Sequence, residues 1–318
     1  MTRIDLDSHT PGHGGRQTPL IAVVCPWCHG GLRRSAAKLT CQRCDAEFEF
    51  TDGYPDLIVG ERFADDTAPE LLAYEDECNR DTTQHYWLPL FQTLFPDGDV
   101  PRRVLSVGCG TGVDVDLLQA HGFESMGIDC GNRSHVWPHR HSHDRLLLAN
   151  GQHLPFEDRS FDIVFCGCVF PHVGVVGDSY RVTPHYDEER RALAHEMTRV
   201  LDRGGKIIVS SPNRYFPFDI FHGRESGSYK PRPYWPGDPF LLSIHDYRRL
   251  FQAAGCARIH ALPVERYWGF IRAKNSTKGR VVTSPVRLIF WLVSRPSLGF
   301  LRPSPINPWI IVMAEKAV

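Results

Sequence analysis

The 318-residue sequence lacks an excess of either charge: 36 Lys and Arg face 37 Asp and Glu, for a formal net charge of −1. No global positive field therefore draws nucleic acid or an anionic membrane, although a local basic patch is compatible with the balance. Also missing is any run of about 18 apolar residues, so no helix is expected to span a bilayer. Met1 to Thr18 lacks the apolar core of a secretory leader; it is polar, carries Gly14-Gly15, and reads as a disordered tail over 1–18. A cytoplasmic protein is the expectation, so the 10 Cys read as thiols or metal ligands instead of disulfides. What the chain does have, 42% hydrophobic residues and 7 Trp, argues for a folded globule.

Four cysteines stand in two pairs. Cys25-Pro-Trp-Cys28 and Cys41-Gln-Arg-Cys44 enclose twelve residues, the ligand spacing of a zinc ribbon. Each pair sits on a tight turn that converges its sulfurs, and four thiolates suit a structural Zn2+ with no open position. The module, 19–60, is below the size at which a core alone suffices, so zinc would supply the missing folding energy. Unrelated cysteine turns or a redox dithiol are the alternatives. Ile21 to Val24 reads as a short strand. Phe48 to Ile58 reads as a strand, a turn at Asp52-Gly53 and an apolar strand. This text resembles the Trm112-like zinc ribbons; such ribbons also precede a family of rRNA guanine methyltransferases with a similar layout.

The stretch that organises the rest runs from Arg103 to Asp129. Val104 to Val107 reads as a buried strand. Gly108, Gly110 and Gly112 follow at alternate positions, a helix opens at Val113, Gly122 ends it, and Met126 to Ile128 is the next strand with Asp129 at its carboxyl end. Glycines let a ligand touch backbone, the helix start offers free N–H groups, and an acid after the second strand accepts ribose hydroxyls. The dinucleotide fingerprint wants its third glycine at 113, where this chain has Val113. The G-x-G-x-G form instead resembles motif I of the class I S-adenosylmethionine-dependent methyltransferases, type 11-like.

That resemblance extends from Val104 to Ala314. It implies an α/β fold, a Rossmann-like seven-stranded methyltransferase sheet over 61–318 behind the small N-terminal zinc ribbon. It implies that S-adenosyl-L-methionine is held by Gly108, Gly110, Gly112, Asp129, Asn150 and Gly151. Asn150 stands where the family has an aspartate for the adenine amino group, and Gly151 would present backbone to the adenine edge. His172 falls beside the methyl and is the first candidate base, with His222 and Asp219 behind it. Tyr74, His85 or Tyr86, in a helical region over Glu70 to Phe95, would reach the ligand or pack on the sheet.

The remaining text is read from its residues. His135, His139, His141 and His143 read as a solvated, mildly basic surface. Cys166 and Cys168 read as small core residues. Glu188 to Leu201 reads as a helix with Asp187 as N-cap, a stripe of Leu193, Met197, Val200 and Leu201, and Arg190 on its outer face. Segment 212–242 is dense in proline and aromatics and reads as an acceptor-side lid, with Asn213, Tyr215, Asp219 and His222 as its polar groups. Insertion 265–308 carries an apolar stretch, 286–295, expected to pack on the globule or to meet a dimer mate or membrane interface.

The function expected is methylation of a small-molecule acceptor: a sugar, a lipid-linked intermediate or a secondary metabolite. Two alternatives stand beside it: RNA, favoured by Arg33, Arg34 and Lys38 on the ribbon, and a non-catalytic scaffold.

Overall fold

Apolar runs joined by glycine turns set the topology of the computed structural model. It describes residues 21–35, 38–60, 69–95, 102–177, 179–219, 221–222, 232–268 and 277–317. The expected tail, 1–18, lies outside the described residues, as do parts of the lid and of the insertion.

The ribbon is an antiparallel sheet of β1 (Leu32–Arg34), β2 (Lys38–Cys41), β3 (Glu47–Thr51) and β4 (Tyr54–Pro55), in that order. Helix α1 (Pro69–Thr82) continues through a π-helical turn into α2 (Leu88–Leu94). Then come β5 (Arg103–Val107), α3 (Val113–Ala120), β6 (Glu124–Asp129), β7 (Leu146–Leu148) and β8 (Phe161–Gly167). Helix α4 (Tyr186–Val200) leads to β9 (Leu201–Pro212) and to a short pair, β10 (Phe218–Asp219) with β11 (Arg232–Pro233). The chain closes with α5 (Ile244–Ala253), β12 (Cys256–Ala261), α6 (Thr277–Ser294) and β13 (Trp309–Lys316).

The large sheet has the order β12-β13-β9-β8-β5-β6-β7. Strand β13 runs antiparallel to both neighbours, and the other pairs are parallel. All seven expected strands are present. From β5 the chain moves outward through β6 and β7, then returns to β8 on the other side. The crevice at the carboxyl ends of β5 and β8 is thus the switch point where open α/β sheets bind ligands.

The ribbon docks on the free edge of that sheet. Asp56 bridges Leu148 in parallel, the Leu57 N–H donates to the Leu148 carbonyl at 2.8 Å, and Val24 donates to Pro155 at 2.9 Å. Cys25, Leu32, Leu39, Phe48 and Leu57 belong to the same buried cluster as Leu147, Leu154 and Phe156. An exposed edge strand invites strand pairing with other chains, and the ribbon covers this one. The docking also explains two departures. The apolar strand after the Asp52-Gly53 turn stops at Pro55, because Asp56 leaves to pair with β7. Ile21 to Val24 forms only isolated bridges, at Val23 and Val24.

Helix α4 also departs from expectation. It begins at Tyr186, with His185 in the N-cap position and no side-chain capping bond, so Asp187 lies in its first turn and is not the cap. Arg190, expected outside, is buried; its guanidinium donates to the carbonyls of Val173, Pro239, Pro171 and Phe240. Helix α6 buries Phe290 and Val293 and exposes Val281, Leu288, Trp291 and Leu292. Among the described residues no helix is long and apolar enough to cross a membrane.

Candidate active site

Between β5 and α3 the backbone turns through three glycines in the left-handed region, Gly108 (φ 71°), Gly110 (φ 54°) and Gly112 (φ 77°). A Cβ at 108 would lie 2.5 Å from Val169 Cγ2, and one at 112 would lie 2.7 Å from Leu146 Cδ1. At 110 the nearest heavy atom is Asn79 Nδ2, at 3.6 Å. The outer two glycines are therefore demanded by packing as well as by the turn, while the middle one leaves an approachable face.

Asp129 ends β6 under this loop. One carboxylate oxygen accepts from the Gly110 N–H at 2.9 Å and the other from the Gly131 N–H at 2.8 Å. Burial raises its pKa, and the backbone donors partly oppose that shift. The loop is braced from behind: Trp137 Nε1 donates to the Gly110 carbonyl at 2.8 Å and Arg140 Nε to the Thr111 carbonyl at 2.7 Å. Both braces come from the histidine-rich text, whose histidines 135, 139, 141 and 143 are exposed as expected.

Helix α1 closes the loop's other side with residues that the sequence reading missed. Thr111 Oγ1 donates to Asp76 at 2.9 Å, Arg140 pairs with the same carboxylate, and Asn79 faces Gly110. Glu75 pairs with Arg133 at 2.9 Å; burial, with the Asp129 charge nearby, pushes its pKa up to about 7. The signal was there: polar residues at 75, 76 and 79 share one helical face. Tyr86 turns into the core, donating to the Pro263 carbonyl at 2.5 Å, and His85 is exposed. Tyr74 is half-buried on α1.

At the far side of the crevice Asn150 donates through Nδ2 to the Val59 carbonyl at 2.6 Å. Its Oδ1 is buried without a hydrogen-bond partner. An unsatisfied buried acceptor costs about 1–3 kcal/mol, a cost that a ligand N–H at this point removes. Gly151 has another reason to be glycine: a Cβ there would lie 2.6 Å from Leu193 Cδ1 and 3.2 Å from Val107 Cγ1. An approachable loop, a carboxylate for sugar hydroxyls and a waiting acceptor for an amine fit an adenosyl group.

The three expected acceptor-side residues meet. His222 Nδ1 lies 2.9 Å from Asp219 Oδ2, and His222 Nε2 lies 3.0 Å from His172 Nε2. Asp219 is fully buried; it accepts the backbone N–H of Phe221 and of His222 and pairs with Arg232 at 3.4 Å. Burial pushes the Asp219 pKa up, but the His222 hydrogen bond and charge outweigh it and leave the carboxyl below its usual range. Burial, then the neighbouring His222, lowers His172 to about 3, so it stays neutral.

Cys168 joins this group, 3.6 Å from His222 Nε2, and is not the plain core residue expected. Its φ of 58° is unusual for a non-glycine residue and marks the sharp turn after β8. Cys166 is buried in the core, as expected. Phe221, Phe240 and Tyr180 wall the cluster, with ring centroids 4.9, 5.0 and 5.4 Å from that of His222. Asn213 does not reach it: its amide donates to the Ser304 and Asn307 carbonyls at 2.9 Å and anchors the lid.

In the ribbon, Cys25, Cys28, Cys41 and Cys44 converge into a cluster able to coordinate a metal. Cys25 and Cys44 sulfurs lie 3.8 Å apart, and those of Cys28 and Cys41 3.4 Å. A tetrahedral ion with sulfurs at about 2.3 Å sets an edge of about 3.8 Å. His29 (φ 56°) and Asp45 (φ 57°) take left-handed turns directly after the second cysteine of each pair. The Arg43 N–H points at the Cys41 sulfur from 3.3 Å. The donor set fits zinc.

Residues 105–209 match a family described as a methyltransferase domain. The chain is 30% identical over 232 residues to an uncharacterized methyltransferase of Mycobacterium sp. strain JLS, covering 67% of this chain and 79% of that protein. It is 28% identical over 155 residues to a probable S-adenosylmethionine-dependent methyltransferase of Mycobacterium tuberculosis, covering 45% of this chain and 51% of that one. The match thus spans about half the length of the latter relative. In fold it is similar to phosphoethanolamine N-methyltransferase 2 of Haemonchus contortus in complex with S-adenosyl-L-methionine, at 15% identity and a TM-score of 0.44, covering 83% of this chain and 62% of that chain.

Proposed function

Because the chain belongs to the class I S-adenosylmethionine-dependent methyltransferases, we propose that it methylates an oxygen or nitrogen of a small molecule. Sugars, lipid-linked intermediates and secondary metabolites are the acceptor classes. One observation supports the reading: the glycine loop after β5 packs against the turn after β8 that carries Cys168 and His172, at the switch point of the sheet. There Gly108 packs on Val169, one residue past Cys168 and three before His172.

S-adenosylmethionine, when bound, supplies an electrophilic methyl carbon on a sulfonium. The chain's own work is alignment and proton handling. Gly110 backbone, Asp129 and the Asn150 Oδ1 acceptor would hold the nucleoside, with Gly108, Gly112 and Gly151 permitting the close packing around it. The Asp219 carboxylate takes the His222 Nδ1 proton bond, so His222 Nε2 accepts from His172 Nε2–H. That tautomer leaves His172 Nδ1 with a lone pair to hydrogen-bond the acceptor. Because burial and His222 keep the ring neutral, taking the proton outright requires the charge to be offset through His222 and Asp219. The aromatic wall excludes water and offers flat faces to the acceptor. Cys25, Cys28, Cys41 and Cys44 would hold a structural Zn2+, and the ribbon covers the sheet edge.

The near-neutral balance of charge supports a small molecule over RNA, and Lys38 on the ribbon is paired with Glu47 at 2.5 Å. The test is mass spectrometry of a metabolite extract incubated with the protein and methyl-labelled cofactor. A labelled small molecule is the expected result. Label only in RNA, with retention that falls steeply in salt, overturns the acceptor class. No cofactor heat in calorimetry makes the chain a scaffold. His172→Ala with full turnover and an unchanged pH profile removes the base.

A further inference from the structure

We infer that Cys168, His172 and His222 form a second metal site, built for Zn2+ or a similar late first-row dication, at the acceptor end of the crevice. Cys168 Sγ and one ring nitrogen from each of His172 and His222 lie within 4.8 Å of one another. Zinc bonds of about 2.3 Å to sulfur and about 2.05 Å to imidazole set tetrahedral edges of about 3.6 Å (S···N) and about 3.3 Å (N···N). The cluster has 3.6 Å from Cys168 to His222 and 3.0 Å from His172 to His222. The donors are already placed at ligand spacing.

The His222 lone pair is aimed as well, and metal binding would move the His172 proton from Nε2 to Nδ1 to free the second imidazole ligand. Asp219 Oδ2, at 2.9 Å, holds the proton on His222 Nδ1, which turns the bare Nε2 into the cluster. This carboxylate–imidazole pair is the usual outer support of a histidine ligand. A bare ring nitrogen has a single lone pair, yet both the Cys168 thiol and His172 Nε2 converge on it. An ion among the three satisfies all of them at once. One thiolate with two imidazoles suits zinc and its neighbours, not magnesium or calcium. The thiolate and Asp219 offset the two positive charges, while Arg232 at 3.4 Å steadies the carboxylate. Phe221, Phe240 and Tyr180 supply a low-dielectric wall, and the left-handed Cys168 backbone is the kind of local strain found at working sites.

Three protein ligands leave a fourth position open, as catalytic zinc sites do. Only the use of that position rests on the reading in the previous subsection. An acceptor hydroxyl entering it would be acidified by the ion and release its proton to bulk solvent as it binds, so that the ion would take over from the His172 lone pair. Metal binding itself stands apart from methyl transfer.

The full chain, purified without chelator and dialysed against Zn2+, is expected to hold two zinc ions per chain by plasma mass spectrometry. Cys168→Ser and His222→Gln should each hold one and keep the cofactor affinity of the parent in calorimetry, which reports folding. On the unaltered protein, a second equivalent of Co2+ should add tetrahedral visible bands with the charge-transfer intensity of a single thiolate. One zinc per chain, or a second equivalent indifferent to both substitutions and without thiolate bands, overturns the inference. Two zinc ions without any cofactor binding would leave this site standing and remove the methyltransferase reading. Cofactor binding with one zinc would do the reverse.

Discussion

Alanine placed at two neighbouring glycines of the β5–α3 loop should separate folding from binding. Both Gly110 and Gly112 have positive φ, so alanine at either pays a left-handed cost of about 1–2 kcal/mol. At 112 the added methyl also meets the buried Leu146 Cδ1 at 2.7 Å, an overpacking worth about 1–3 kcal/mol more. Gly112→Ala should therefore lose about 2–5 kcal/mol and Gly110→Ala about 1–2 kcal/mol in urea unfolding without cofactor. Binding should order them differently. The Gly110 methyl enters the approachable face, 3.6 Å from Asn79, where the ligand would touch backbone. Calorimetry should find S-adenosylmethionine affinity reduced at least tenfold in Gly110→Ala, despite its milder unfolding. Equal stability losses in the two variants would refute the packing argument. Undiminished affinity in Gly110→Ala would refute the placing of the ligand.

Other consequences follow from buried charges. Burial raises the Asp114 carboxyl to about 6, although Ser106 donates to it at 2.5 Å. Its folded pKa exceeds the unfolded value near 3.9, so the folded state binds the proton more tightly and stability falls as pH rises from about 4 to 6. Asp114→Asn should gain up to about 3 kcal/mol over the parent at pH 7, with the gap closing toward pH 4 in paired urea titrations. Arg190→Met strips charged donors from four carbonyls and should cost at least about 3 kcal/mol, read as a lower thermal midpoint. Cys44→Ser, or zinc removal by a strong chelator, should unfold the ribbon and expose the β7 edge, seen as faster hydrogen exchange at Leu57 and Leu148. Replacing Asn150 with leucine removes the orphan acceptor and should raise the cofactor dissociation constant about tenfold, while the lost Nδ2 bond to the Val59 carbonyl should cost about 1 kcal/mol in unfolding.

How far the chain could be read depended on how local each rule is. The β5–loop–β6 unit was legible because left-handed turns, helix starts and a strand-end acid are dictated within a few neighbours. The ribbon cysteines were legible for the same reason. Arg190 was misread because helical periodicity assigns a face but cannot foresee that the lid's carbonyls will lie against it. Trp137 and Arg140 were hidden by the histidines around them, whose polarity suggests plain surface. Asp219 and His222 were legible as polar groups of a lid and as reserve bases behind His172; that His222 closes on His172, 50 residues away in sequence, is a property of the packed fold. Cys168 gave no signal, since a cysteine ending an apolar strand reads as core.

The central claim is that the crevice between β5 and β8 seats an adenosyl sulfonium. A crystal structure of the full chain with S-adenosylhomocysteine tests it most directly. The account predicts ribose hydroxyls on the Asp129 carboxylate and the adenine amine at Asn150 Oδ1. An empty crevice, or a nucleoside bound with Asp129 turned away from its sugar, contradicts it.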